Sequence, residues 1–158
     1  MKSFFFIALV ISVSLSKPIE AADNIASCGS LNGYTHYRIG AIITAESAGW
    51  TEDSITKGKT SLKKIGTKKY DILYTDTTGN IYSSRQDGAS IFLVRNSGKD
   101  LAFVVFGKRG EIEIYNFYQE PNGAFKMDWA QNKGLPLLVQ KSTLMTAECS
   151  FIYFTNIK

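Results

Sequence analysis

The stretch Tyr70-Asp71-Ile72-Leu73-Tyr74-Thr75-Asp76-Thr77-Thr78-Gly79-Asn80-Ile81-Tyr82-Ser83-Ser84-Arg85 decides the fold class. Tyr70, Ile72 and Tyr74 recur with a period of two, which puts them on one face of a strand and is the wrong spacing for a helix. Thr77-Thr78-Gly79-Asn80 supplies residues that tolerate positive φ, and Ile81 to Arg85 resumes the extended pattern, so the stretch reads as a β-hairpin.

Downstream the pattern repeats. Asp87-Gly88 leads to Ser90–Arg95, Asn96-Ser97-Gly98-Lys99 to Leu101–Phe106, and Gly107-Lys108-Arg109-Gly110 to Glu111–Tyr118. Glu120-Pro121-Asn122-Gly123 opens a strand with Phe125, Met127 and Trp129 on one face, and a final pair is expected at Leu137–Lys141 and Leu144–Tyr153. Upstream, one or two strands are expected within Gly33–Ile43 and Thr60–Gly66. Between them, Thr51-Glu52-Asp53-Ser54 reads as the cap of a short helical turn after Trp50, or as a loop. The chain is thus expected to be all-β, a single antiparallel meander of about 8–10 strands forming a small barrel or a two-sheet sandwich. Both architectures write the same alternation into their strands.

Cys28 and Cys149 are the only two cysteines and lie near the two ends of the domain. A disulfide between them would tie the termini and make the first and last strands neighbours. It would constrain the unfolded chain by about 5 kcal/mol on the chain-entropy account.

The N-terminus assigns the compartment. Met1-Lys2-Ser3 precedes an apolar run from Phe4 to Leu15, followed by polar Lys17-Pro18-Ile19-Glu20 and the small pair Ala21-Ala22. This reads as a secretory signal peptide, residues 1–22, removed from a single exported β-domain, residues 23–158; the run is shorter than the roughly 20 residues of a spanning helix. Export to an oxidising compartment, periplasmic or extracellular, agrees with a disulfide. Ile25-Ala26-Ser27-Cys28 also resembles a lipobox, which would make Cys28 an acylation site, although polar residues separate it from the apolar run.

Of 18 Lys and Arg and 14 Asp and Glu, only Lys2, Lys17 and Glu20 fall within the leader, so the exported chain is near +3. That is too small a bias to imply nucleic acid. Charge is nonetheless uneven: Lys57, Lys59, Lys63, Lys64, Lys68 and Lys69 occur with no acid among them. The stripe could attract an anionic envelope component, or simply guard a solvated sheet edge against pairing. It lacks the interleaved aromatics that stack on bases, which argues against nucleic acid.

Tyr34, Tyr37, Tyr70, Tyr74, Tyr82, Tyr115 and Tyr118 carry polar tips, and several converging on a barrel mouth would form an amphipathic ligand surface. Arg85, in Ser83-Ser84-Arg85-Gln86-Asp87-Gly88, could face an anion or pair with Asp87 and stiffen the turn. His36 is the only histidine, and no Gly-x-Ser-x-Gly elbow accompanies it, so neither a hydrolase triad nor a metal site is indicated. Carboxylates are the remaining catalytic candidates, with Glu111 and Glu113 two apart and Asp71, Asp76, Asp87 and Asp128 on other segments.

No motif assigns a family. The strand number resembles that of lipocalin-like barrels, but their Gly-x-Trp signature is missing, because Trp50 follows Gly49 directly. The expectation is an exported, non-catalytic binding or interaction domain without cofactor, acting through a sheet surface or a barrel mouth. Its candidate ligand residues are Tyr70, Tyr74, Tyr82 and Arg85, with Lys63, Lys64, Lys68 and Lys69 as the electrostatic component. The alternatives are a carboxylate hydrolase acting on envelope polysaccharide, and a structural envelope protein or protein inhibitor with a protein partner. The apolar end, Phe151 to Ile157, is expected to continue the last strand, or else to dock on a partner.

Overall fold

The first and last strands lie side by side. In the computed structural model, which describes residues 23–76 and 78–157, β1 (Asp23–Cys28) pairs antiparallel with β11 (Lys141–Ile152), and Cys28 faces Cys149 and is bonded to it. The Cys28 sulfur is therefore not free for acylation. The signal-peptide reading lies outside the described residues.

All strands are antiparallel and form one curled sheet, a half-barrel. Its other members are β2 (Leu31–Tyr37), β3 (Gly49–Ile55), β4 (Lys59–Gly66), β5 (Lys69–Thr75), β6 (Ile81–Ser83), β7 (Ser90–Asn96), β8 (Asp100–Phe106), β9 (Ile112–Gln119) and β10 (Phe125–Lys133). The last five strands form a plain meander from β7 to β11, and β1, β4, β5 and β6 continue the sheet beyond β11. The chain-adjacent strands β6 and β7 consequently stand at the two outer edges of the curl.

A break at Gly29-Ser30 gives the half-barrel its two unlike ends. Gly29 N donates to Glu148 O, so β1 and β2 run on along the whole of β11 as one bent strand. On their far side they have different partners: β4 pairs with β1, and β3 pairs with β2. The chain parts between β3 and β4 at Thr56-Lys57-Gly58, where Lys57 takes a φ of 62° and donates its N–H to Ser30 Oγ. Below the break β3 pairs with β2 alone and is the edge of the sheet among the described residues.

Above the break the interior is filled. Ile25, Leu62, Ile72, Leu101, Phe103, Phe117 and Met127 are fully buried there, each burial stabilising by about 1.5–3 kcal/mol before entropy is counted. The C-terminal 3-10 turn Phe154–Ile157 folds over this end: Ile157 is buried, and Tyr70 Oη donates to its carbonyl at 2.9 Å. The strand thus continues past Cys149 to Ile152, as expected, and the chain then turns at Phe154–Ile157 and closes the core. Among the described residues, the disulfide and the core tie β1 to the C-terminal turn across the whole sheet.

Two segments differ from the sequence expectation. Thr51–Ser54 is strand, part of β3, and the only helical turn nearby is the 3-10 segment Ala45–Ser47 that precedes it. β3 has a partner on one side only and is largely exposed, so it carries no apolar alternation to read. The expected pair at Leu137–Lys141 and Leu144–Tyr153 is one twelve-residue strand, β11, preceded by a loop. Leu135 and Leu138 in that loop are exposed, and a leucine-rich run without a core to enter mimics a strand only in composition.

Candidate ligand cavity

Where β3 and β4 part, the concave face of the half-barrel encloses a cavity of about 800 Å³. Its walls come from both flanks of the curl: Leu31, Ile55 and Thr60 near the break, Tyr74 and Tyr82 from β5 and β6, and Tyr115 and Trp129 from β9 and β10. Strand alternation puts them there. Phe103, Tyr115, Trp129 and Met145 occupy one transverse row of the inner face on β8, β9, β10 and β11.

The next inner row is polar. It runs Glu113, Gln131, Thr143, Thr35 across β9, β10, β11 and β2, each residue opposite the next. Glu113 organises one end: its Oε2 accepts from Tyr115 Oη at 2.5 Å and Trp129 Nε1 at 3.3 Å, and its Oε1 accepts from Gln131 Nε2 at 2.5 Å. The carboxylate, being acceptor-only when ionised, fixes which way the Gln131 amide points. Gln131 Oε1 must then face away, and it is buried without any hydrogen-bond donor.

Proton direction along the row explains why no neighbour satisfies it. Thr35 Oγ1 donates to Asp53 Oδ2 at 3.0 Å, so the 3.0 Å bond between Thr35 and Thr143 is donated by Thr143. The hydroxyl proton of Thr143 is thereby used, and Gln131 Oε1 on the adjacent strand receives none. A buried acceptor in this state costs roughly 1–3 kcal/mol unless something donates to it. Gln131 itself is among the residues that line the cavity, while this oxygen is turned away from solvent.

The rings beside this row are held neutral. Burial, and then Glu113, push the Tyr115 hydroxyl well above its ordinary range. Tyr74 is pushed up to about 12, by burial first and then by its hydrogen bond to Asp87 at 3.2 Å. Tyr74 stacks on Tyr82 with ring centroids 5.3 Å apart, and Tyr82 donates to Asp76. Its rim carries Lys59, Lys108, Arg109, Lys133 and Lys141, interspersed with the acids Asp76, Asp87 and Glu111. Lys141 is half-buried with Nζ 5.6 Å from the Tyr37 ring; burial and the neighbouring Lys133 hold its pKa below the usual lysine range.

Of the residues singled out in the sequence, Tyr74 and Tyr82 meet in the cavity. Tyr70 lies in the filled half, edge-on to Phe103. Arg85 donates through Nε to the Tyr70 carbonyl and through its backbone N to Asp71, which makes it a brace for β5, while Asp87 serves Tyr74 instead. Lys63 and Lys64 on β4, with Lys68 and Lys69 at the β4–β5 turn, sit at the closed end, away from the mouth. His36 faces outward, edge-on to Trp50. Among the described residues, no group of three His, Cys, Asp or Glu is placed to hold a metal ion.

Trp129, Gln131 and Glu113 form the centre of the site, and a signal for them was present in the sequence. Extending the face of Met127 and Trp129 by two residues lands on Gln131, a polar side chain where the alternation calls for an apolar one. No family model, no curated protein and no solved structure matches the chain.

Proposed function

We propose that the chain is an exported binding protein that holds an amphipathic small molecule in the open half of the half-barrel. The observation that carries this reading is the cavity of about 800 Å³, whose lining joins aromatic rings to the polar side chain of Gln131, one oxygen of which is unpaired. That oxygen is shielded as the side chain stands, so a ligand hydroxyl or amine N–H would recover the cost of leaving it unmade by drawing the Gln131 amide toward the cavity. The aromatic walls of Tyr74, Tyr115 and Trp129 suit an apolar or aromatic body, and the Lys and Arg rim suits an anionic group at the mouth. The volume lies within the range of small-molecule sites. The charged start and apolar run of residues 1–22, together with the Cys28–Cys149 bond, support export.

The hydrolase reading draws less support from the same cavity. Asp76 is engaged by Thr78 and Asn80 in its own turn, bonds that hold its carboxyl below the usual range, and Glu113 accepts from three protein donors, Tyr115, Trp129 and Gln131. Asp87 and Glu111, which also line the cavity, accept from Tyr74 Oη and from Arg109 N.

Anilinonaphthalene sulfonate combines an aromatic body, an N–H donor and an anion, and is the probe to titrate. One saturable site is expected, with Gln131→Met and Tyr74→Ala each weakening binding by roughly ten-fold, a loss of about 1.4 kcal/mol. Folded variants that bind the dye as tightly as the parent would overturn the reading.

A further inference from the structure

We infer that the open end of the half-barrel docks on an anionic lipid bilayer, inserting the tips of two loops. Residues 38–48, between β2 and β3, and residues 134–140, between β10 and β11, leave the sheet together at this end, and Arg38 N donates to Gln140 O. Their tips carry side chains that no protein surface covers: Ile39 is 67% exposed, Ile42 61%, Leu135 81% and Leu138 69%. Trp50, which opens β3 beside them, is 67% exposed. Clustered large apolar groups on loop ends contribute nothing to the fold and cost free energy in water.

The charge around these tips identifies the partner. Arg38, Lys133 and Lys141 flank the two loops in the chain, and the β8–β9 turn at the same end adds Lys108 and Arg109. Segments 38–48, 107–111 and 133–141 hold these five cations against Glu46 and Glu111. Apolar tips ringed by cations suit a surface that is hydrocarbon below and anionic above, which is the profile of a bilayer with acidic headgroups. A protein partner of ordinary surface composition would call for no such ring. Trp at this level is also the residue favoured at membrane–water boundaries.

Docked this way, the mouth of the cavity faces the lipid. Docking itself does not require the cavity to be occupied, so its failure and that of the ligand reading are separable. The convex face also bears an apolar row, Phe92, Val104, Ile114, Ala130 and Leu144 on the successive strands β7 to β11, which lies within the sheet and not on loop tips.

The test is co-sedimentation of oxidised residues 23–158 with vesicles of phosphatidylcholine alone and of phosphatidylcholine with phosphatidylglycerol. Expected is salt-sensitive binding to the anionic vesicles, with Trp50 fluorescence, taken as the difference between the parent and Trp50→Phe, quenched by brominated lipid. The pair Leu135→Ser and Leu138→Ser, both surface loop positions, should weaken binding by at least roughly ten-fold at unchanged melting temperature. Lys108→Gln with Arg109→Gln should weaken it on anionic vesicles only, and Gln131→Met should leave it intact. No sedimentation with either vesicle overturns the inference. So does sedimentation that the leucine pair does not weaken and that leaves Trp50 unquenched, which would point to the lysines at the closed end. Insertion of these leucines into a second copy or another protein, with vesicles ignored, overturns it equally.

Discussion

Glu113 on β9 fixes the amide of Gln131 on β10, and in doing so leaves the oxygen of that amide buried and unpaired. One acid thus sets both the geometry and the unmet hydrogen-bonding capacity of the site, because an acceptor-only carboxylate can be answered only by the NH2 side of glutamine.

Removing the acid should therefore cost more than removing an ordinary half-buried side chain. Glu113→Ala strands three donors, Tyr115 Oη, Trp129 Nε1 and Gln131 Nε2. Water entering the open cavity can answer some of them, so a loss of roughly 2–4 kcal/mol is expected in urea unfolding. Glu113→Gln, which keeps an acceptor, should lose less. A change of under about half a kcal/mol for the alanine variant would mean that the network does not organise the site.

Alkaline pH should unfold the protein together with tyrosine ionisation. Tyr37, Tyr70, Tyr74, Tyr115 and Tyr118 all have pKa values raised in the fold, each chiefly by burial, and Tyr74 reaches about 12 against an ordinary 10.0. Between those values the unfolded chain has given up protons that the native state still holds. Stability is therefore fully present below about pH 10 and falls as pH rises through the native values. Tyrosinate absorbance followed alongside circular dichroism checks this: a smooth titration near pH 10 with the fold intact would contradict it.

Lys141 should be the most readily acylated lysine of the cavity rim at mildly alkaline pH. Burial and Lys133 lower its pKa, so it carries more free amine than an ordinary lysine. Competitive acetylation read by mass spectrometry measures the order of reaction. Lys133→Ala should slow the labelling of Lys141 by relieving the repulsion, and faster labelling in that variant would be the wrong sign.

Gly33 should be intolerant of any side chain. A Cβ there would stand 2.2 Å from Leu144 O and 2.7 Å from Met145 Cα, both backbone atoms of β11 that cannot turn aside. Gly33→Ala should cost roughly 1–3 kcal/mol, whereas Gly134→Ala in the β10–β11 loop, with nothing within 4 Å and no left-handed φ, should be near neutral. Equal denaturation midpoints for the two variants would show that β2 can move away from β11 at no cost.

The sequence by itself determined the strand identity of most segments, their antiparallel order from β7 to β11 and the adjacency of the two ends. Alternation of Tyr70, Ile72 and Tyr74, turn glycines such as Gly79, and two lone cysteines are local signals, and local physics reads them without the rest of the chain. Only the tertiary structure decided that Tyr74 joins Tyr115 and Trp129 at a cavity while Tyr70 is sealed under Ile157. Both tyrosines lie on the same face of β5; what separates them is that β4 parts from β3 at one end of the strand and the C-terminal turn covers the other. Period-two alternation tells which face a residue occupies, but not how far along the curled sheet the interior is filled. That depends on strands distant in the chain.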